Sequence, residues 1–399
     1  MTPVRSAVAG VRLKRTVCLV IVATLAVGSA APAADPPPKA QRLDAAKVRI
    51  VLFCPNGVRP PVDYQSGLDR LADYTDAFIL SGLKRWGHEP GVKSLFVRVD
   101  ENGRPTDDGT GSVEVLGVIG EHGVDRYTKP DTHKEAVASA MRHFDLPAKG
   151  DLWWVLVYHG DPPTRFSDFR GGNSPQFGGW SIANYDSRLP RLRKTMPICA
   201  GLGDEMALKG MVHELGHAFG LPHIGPKAAP RRRHDNTLMG PNNFNYKRVA
   251  GRAVQNGHLS EASAAMLAVH PVVRGVPLSE WNLPTVKVAD LALRPTATGN
   301  GFALAGTVRA VGAKPINAVL GDHPDSLPGE YWAKHYVAPV GDDGRFELPV
   351  TEAAESDGEL RLWFTFPGGE TTGNGRWRGA NGAVKIPYRY ADGRWTKAE

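Results

Sequence analysis

The chain has 399 residues, 42% of them apolar and 22% charged, with 48 Lys+Arg against 41 Asp+Glu. The length fits two domains better than one, and the balance of apolar and charged residues excludes a largely disordered chain. With 45 Gly and 32 Pro, the sequence favours a turn-rich body with strands and few long helices.

Residues 1–34 read as an export signal. Arg5, Arg12, Lys14 and Arg15 precede the apolar run Thr16 to Ala30, and Ala31-Pro32-Ala33 supplies small residues for cleavage before Ala34. The run is shorter than the ~20 residues that span a bilayer. A signal that is removed, with no stable membrane insertion afterwards, is therefore expected, and an uncleaved anchor is the alternative. Without the four basic residues of the signal the chain keeps 44 Lys+Arg against 41 Asp+Glu, a net +3. That charge calls for no nucleic-acid partner. The expected location is the periplasm or the exterior.

Residues 35–46 form a Pro-rich linker. Val48 to Cys54 reads as a buried strand, and Tyr64 to Trp86 has helical apolar spacing. Ser94 to Val99 is the next strand, Asn102-Gly103 a hairpin turn, and Val113 to Ile119 its partner. Asp131 or Thr132 would cap a second helix, and Leu152 to Tyr158 is the most apolar, central strand. A Gly-rich stretch, 171–179, precedes the strand Trp180 to Tyr185. A third helix starts at Asp204. Residues 224–248 read as a loop, and Ser260 would cap a last helix over Leu259–Val269. From about residue 280, short alternating runs separated by Gly, Pro and Asp indicate a small antiparallel sandwich. The predicted class is α+β: residues 47–278 form a domain with a mixed twisted sheet and three main helices, and residues 279–399 an all-β sandwich. Of three cysteines, Cys54 and Cys199 lie beyond the signal. In an oxidising compartment they can pair, and two buried thiols are the other reading.

The chemistry concentrates in residues 213–223, HELGHAFGLPH. His213 and His217 lie one helical turn apart on one face, so both imidazoles reach a single ion. Gly220 can take a positive φ and end the helix, bringing His223 back as a third ligand. Three neutral imidazoles leave the fourth position of one tetrahedral zinc ion open to water. Glu214 lies beside that position without being a ligand, which makes it the candidate general base. The bland alternative is a helix with surface histidines in an accidental pattern. The apolar positions Ala207, Met211, Leu215, Ala218 and Phe219 around the histidine face argue against it.

This pattern resembles the metzincin zinc peptidases, matrixin-like and bacterial in type, whose signature is H-E-x-x-H-x-x-G-x-x-H followed by a Met-turn. Thr237-Leu238-Met239-Gly240 resembles that turn, and the resemblance makes Met239 an apolar floor beneath the imidazoles. It also implies a peptide or protein substrate and a cleft-edge strand able to pair with an extended peptide, placed at Trp180, Ser181, Ile182 and Ala183. The residue after His223 is Ile224, which matches no well-known subfamily, and none is assigned. Tyr246 could assist the oxyanion as a tyrosine does in some relatives, but its offset from Met239 is larger than that role expects, and a structural place is the favoured reading. No cysteine-switch segment lies between the signal and Val48.

Arg231-Arg232-Arg233 reads as a solvated loop face or as a selector of acidic residues, and Asp107-Asp108-Gly109 as a turn. The implied function is an exported zinc endopeptidase. The alternatives are a hydrolase of short peptides or non-protein amides, and an adhesion or cell-wall binding protein in which the sandwich carries the function.

Overall fold

A computed structural model describes residues 40, 43–128, 131–147, 150–161, 169–174, 178–199, 208–241, 248–249, 252–253, 256–278, 283–296, 301–377 and 379–398. The expected signal, most of the linker, the start of the third helix and Tyr246 lie outside them. No helix among the described residues is long and apolar enough to cross a membrane.

The class is α+β. A five-stranded sheet organises the first part, in the spatial order β2 (Val115–Ile119), β1 (Val48–Cys54), β3 (Leu152–Val157), β5 (Gly178–Asn184), β4 (Arg170–Ser174). The first four strands run parallel and β4 antiparallel at the edge. β1 and β3 are buried along their whole length, as parallel strands covered on both faces must be. Side chains alternate between the two faces. Ile50, Leu52, Trp154 and Leu156 enter one core with the helices α1 (Tyr64–Arg85), α3 (Leu208–Ala218) and α5 (Glu261–Ala268). Val51, Phe53, Trp153 and Val155 enter the other, against Ala136, Val137 and Ala140 of α2 (Thr132–Phe144). Ser260 caps α5 as expected, its hydroxyl accepting from Ser263 N–H.

The structure corrects three sequence expectations. Of the expected partner Val113–Ile119, only Val113 pairs with the strand around Arg98, where Arg98–Val99 lies antiparallel to Ser112–Val113 and to Pro105–Thr106; Val115–Ile119 pairs in parallel with β1. Its alternating burial suits both pairings, so pattern alone could not choose the partner. Trp180, Ser181, Ile182 and Ala183 are not the sheet edge: β5 is hydrogen-bonded on both sides, and the free edge belongs to β4. The Gly-rich β4 lacks the apolar signal of a strand. Of the two readings for Cys54 and Cys199, the structure has the buried free thiols, and burial pushes them up to about 12 and about 11. Finally, the segment after His223 contains a short helix, α4 (Ala228–His234).

The C-terminal part consists of two antiparallel sheets. One holds β6 (Thr285–Pro295), β7 (Phe302–Val311) and β10 (Arg345–Val350). The other holds β9 (Lys334–Pro339), β8 (Asn317–Pro324), β11 (Gly358–Thr365), β12 (Val384–Ala391) and β13 (Arg394–Lys397). A third core lies between them, with Leu304, Phe346 and Leu348 from the first sheet and Leu320, Leu362 and Phe364 from the second. The opposite face of the second sheet gives Val319 and Trp363 to the same core as α1, α3 and α5. Residues 38–399 therefore form one compact unit with shared apolar packing.

Glycines let α3 lie directly on the sheet. A methyl at Gly171 would strike the carbonyl of Glu214, and one at Gly179 the carbonyl of Ala218. Both obstacles are backbone and cannot rotate away. Gly179→Ala is expected to cost about 1–3 kcal/mol through overpacking, read from chemical denaturation. A variant as stable as the native chain would show that α3 does not depend on this contact.

Candidate metal centre

Helix α3 ends in a Schellman turn. Gly220 has φ 85°, its N–H bonds the carbonyl of His217 at 2.9 Å, and the N–H of Leu221 bonds that of Gly216 at 3.0 Å. This left-handed residue reverses the chain and brings His223 beside the two histidines of the helix. One ring nitrogen from each of His213, His217 and His223 lies within 4.8 Å of the others. The Nε2 atoms of His217 and His223 are 3.1 Å apart.

The opposite side of each ring fixes its orientation. His213 Nδ1 donates to the carbonyl of Leu238 at 2.9 Å, and His217 Nδ1 to that of Leu221 at 2.8 Å. A carbonyl only accepts, so each Nδ1 carries the proton and each Nε2 presents its lone pair to the centre. His223 Nδ1 faces a carboxylate oxygen of Glu330 at 3.6 Å. The buried Nε2 of His213 has no hydrogen-bond partner among the described residues. An orphaned buried acceptor aimed at two more of its kind is what an imidazole-bound divalent cation requires. Burial lowers His213 well below its usual value, His217 to about 4, and also His223, whose shift Glu330 partly offsets. The rings are thus neutral near pH 7, the state that binds metal. Three nitrogens with no thiolate suit the divalent ions that favour imidazole, zinc, copper, iron and nickel among them.

Beneath the rings runs the turn Thr237–Gly240. Met239 is fully buried, and a methyl at Gly216 would come within 2.5 Å of its sulfur. Gly216, immediately before the second helical histidine, is therefore the seat of Met239. The turn is held to the segment after His223: Ile224 N–H bonds the Met239 carbonyl at 3.0 Å, and Thr237 Oγ1 donates to the Ile224 carbonyl. Lys209, buried in α3, reaches across with its ammonium to the carbonyls of Gly240 and Pro241 at 2.9 and 2.6 Å. Burial brings its value down to about 8. Glu214 is also buried, 7% exposed, on the turn of helix that carries His213.

The C-terminal part closes one side. The short turn Glu330–Trp332 precedes β9, and the ring of Tyr331 stacks on His223 at 3.8 Å between centroids and lies 5.8 Å from His213. Burial and the Glu214 and Glu330 carboxylates raise the Tyr331 phenol. The segment after His223 is tied to the same region. Gly225 N–H bonds the Ala333 carbonyl at 2.6 Å, and Glu352 caps α4 by accepting from Ala228 N–H at 3.0 Å. The Arg231 guanidinium lies 5.2 Å from the Trp332 ring, so this arginine packs against the C-terminal part.

The structure thus brings together His213, His217 and His223, with Met239 packed against Gly216 of the same helix and Glu214 buried next to His213. It leaves Cys54, Cys199 and the strand Trp180–Ala183 outside the cluster. Sequence reasoning missed Gly216, for which a glycine in mid-helix was the available signal. It also missed Glu330 and Tyr331, which a turn between distant strands carries to the site.

No family profile matches the sequence, and no curated protein does. The fold is similar to crystal structures of OgpA from Akkermansia muciniphila. Wild-type OgpA in P 41 21 2 shares 17% identity at a TM-score of 0.62, covering 90% of this chain and 98% of that one. The wild type in P 21 21 21 shares 16% at 0.64, covering 92% and 99%. A catalytically inactive OgpA in complex with an O-glycopeptide (glycodrosocin) substrate shares 16% at 0.63, again covering 92% and 99%. At these identities the likeness is one of fold, and it extends over both parts of the chain.

Buried neutral histidines set an acid limit. His217 and His258 titrate at about 4 in the fold because burial disfavours their charge, against 6.5 when free. The unfolded chain therefore binds more protons between those values. Stability is fully present above about pH 6.5 and is lost as the pH falls toward 4. The melting temperature of the metal-free protein is expected to be level above pH 7 and to drop across that window. A flat profile down to pH 4 would contradict the burial of these rings.

Proposed function

We propose that this chain is a zinc-dependent metalloendopeptidase of the metzincin type, exported from the cell, that cleaves peptide chains. The observation that carries the reading is the convergence of His213, His217 and His223 beside Glu214, with two rings locked by backbone carbonyls so that their Nε2 atoms face one point. The sequence pattern of residues 213–223 and the buried Met239 support the metzincin assignment, with Thr237–Gly240 as the Met-turn. The first 34 residues, read as a signal, support export. In this reading residues 47–278 are the catalytic domain and 279–399 a second domain that packs against it.

Zinc held by His213, His217 and His223 would supply Lewis-acid polarisation of the scissile carbonyl and acidify a water molecule. Glu214 takes the proton from the attacking water and later delivers it to the leaving amine. Its burial keeps that transfer away from bulk solvent. The edge strand β4 is the one able to pair with an extended substrate, since no other strand among the described residues lies beyond it in the sheet. The fold likeness to OgpA, one of whose structures holds an O-glycopeptide substrate, makes an O-glycosylated peptide the first substrate to offer.

Glu214→Ala is expected to keep zinc at native stoichiometry and to lose hydrolysis by about a hundredfold to ten-thousandfold. Metal analysis and turnover on an O-glycosylated peptide, its unglycosylated twin, casein and a dipeptide panel measure this together. Full turnover by the variant would end the mechanism. Cleavage of dipeptides alone would favour the short-peptide hydrolase.

A further inference from the structure

We infer that Glu330, from the C-terminal part of the chain, is the positioning residue for the third metal ligand, so that the metal centre is completed by both parts of the molecule. The inference rests on the reading of the histidine cluster as a zinc site.

The argument begins with an asymmetry among the three rings. His213 and His217 each have Nδ1 fixed by a carbonyl of the catalytic part, Leu238 and Leu221. His223 has no such carbonyl among its hydrogen bonds, and its Nδ1 faces Glu330 Oε2 at 3.6 Å. That separation exceeds a hydrogen bond and lies within ion-pair reach. The carboxylate is itself held from behind. Its other oxygen accepts from Arg361 Nη1 at 3.2 Å, and Arg361 Nε is fixed by Glu359 at 2.9 Å. One oxygen is thus anchored on β11 and the other is left for the imidazole.

Two further contacts keep Glu330 and His223 together. Tyr331 stacks on the His223 ring at 3.8 Å with 30° between the planes, which limits the ring's rotation. The backbone two residues past His223 joins the same turn, with Gly225 N–H on the Ala333 carbonyl and an isolated bridge between Gly225 and Lys334. A side chain at Gly225 would meet the Trp332 backbone within 2.5 Å, so the close approach requires the glycine. His223 also comes from irregular chain beyond the helix end, whereas the other two ligands sit on regular helix. The ligand with the least support from its own segment is the one supported from the other part.

A carboxylate on the far nitrogen of a ligating imidazole fixes the tautomer and orientation and raises the ring's basicity, and its loss typically costs 10–100-fold in metal affinity. Glu330→Ala and Glu330→Gln are compared with the native full chain. Zinc affinity is read by competition with a chromophoric chelator, and the melting temperature by calorimetry on the metal-free samples. The Ala variant is expected to bind zinc tenfold to a hundredfold more weakly with its metal-free melting temperature unchanged. The Gln variant keeps an acceptor oxygen and is expected to recover part of the loss. Native affinity in Glu330→Ala overturns the assignment, as does an affinity loss matched in both variants by a fall in metal-free melting temperature. A native chain that holds no zinc sinks the metal centre and this assignment together. Native zinc binding with an unaffected Ala variant sinks the assignment alone.

Discussion

The site depends on a backbone constraint: a helix that must stop within one turn of its second histidine and return. Gly220 provides the stop through a left-handed conformation that other residues enter only with strain. Without it, α3 would continue and carry the chain past the metal position. The same helix must lie low on the sheet so that its histidines and the turn beneath them share one small volume. Gly171 and Gly179 allow that approach from below, and Gly216 makes room for the Met239 sulfur from the side. Four glycines therefore shape the site by having no side chain, and the chemical groups occupy the space they leave.

Around this frame, the backbone does much of the orienting. Carbonyls of Leu238 and Leu221 hold two imidazoles, and the ammonium of Lys209 ties the helix to the turn through two more carbonyls. Such partners need no particular side chain at their own positions, so they leave no mark in a motif. The segment after His223 depends instead on the C-terminal part, through Ala333, Glu352 and the ring of Trp332. The second sheet likewise adds Val319 and Trp363 to the core under α3. The two parts of the chain are joined by the packing that supports the metal position.

Much of this was legible in the sequence. The apolar runs Val48–Cys54 and Leu152–Tyr158 gave the central strands, because a strand buried on both faces has no polar side to hide it. Helical spacing located α1, and the spacing of His213, Glu214, His217 and His223 marked the cluster. Other features were legible only in part. β4 was lost among glycines whose purpose is contact with α3, so its role as sheet edge passed to the more apolar β5. The strand Asn317–Pro324 has little local signal, because Gly321, Asp322 and His323 break its alternation. Glu330 and Tyr331 carry no local signal, since tertiary contact alone brings them to His223.

The buried Lys209 has one more consequence. Its ammonium sits in an apolar interior and is satisfied by the carbonyls of Gly240 and Pro241. Lifting the floor of the site away from the helix would strand that charge without solvent or partner, a cost far greater than breaking a neutral contact. The turn and the helix therefore open together or stay closed together. In exchange with heavy water, the amides of both would behave as one cooperative unit.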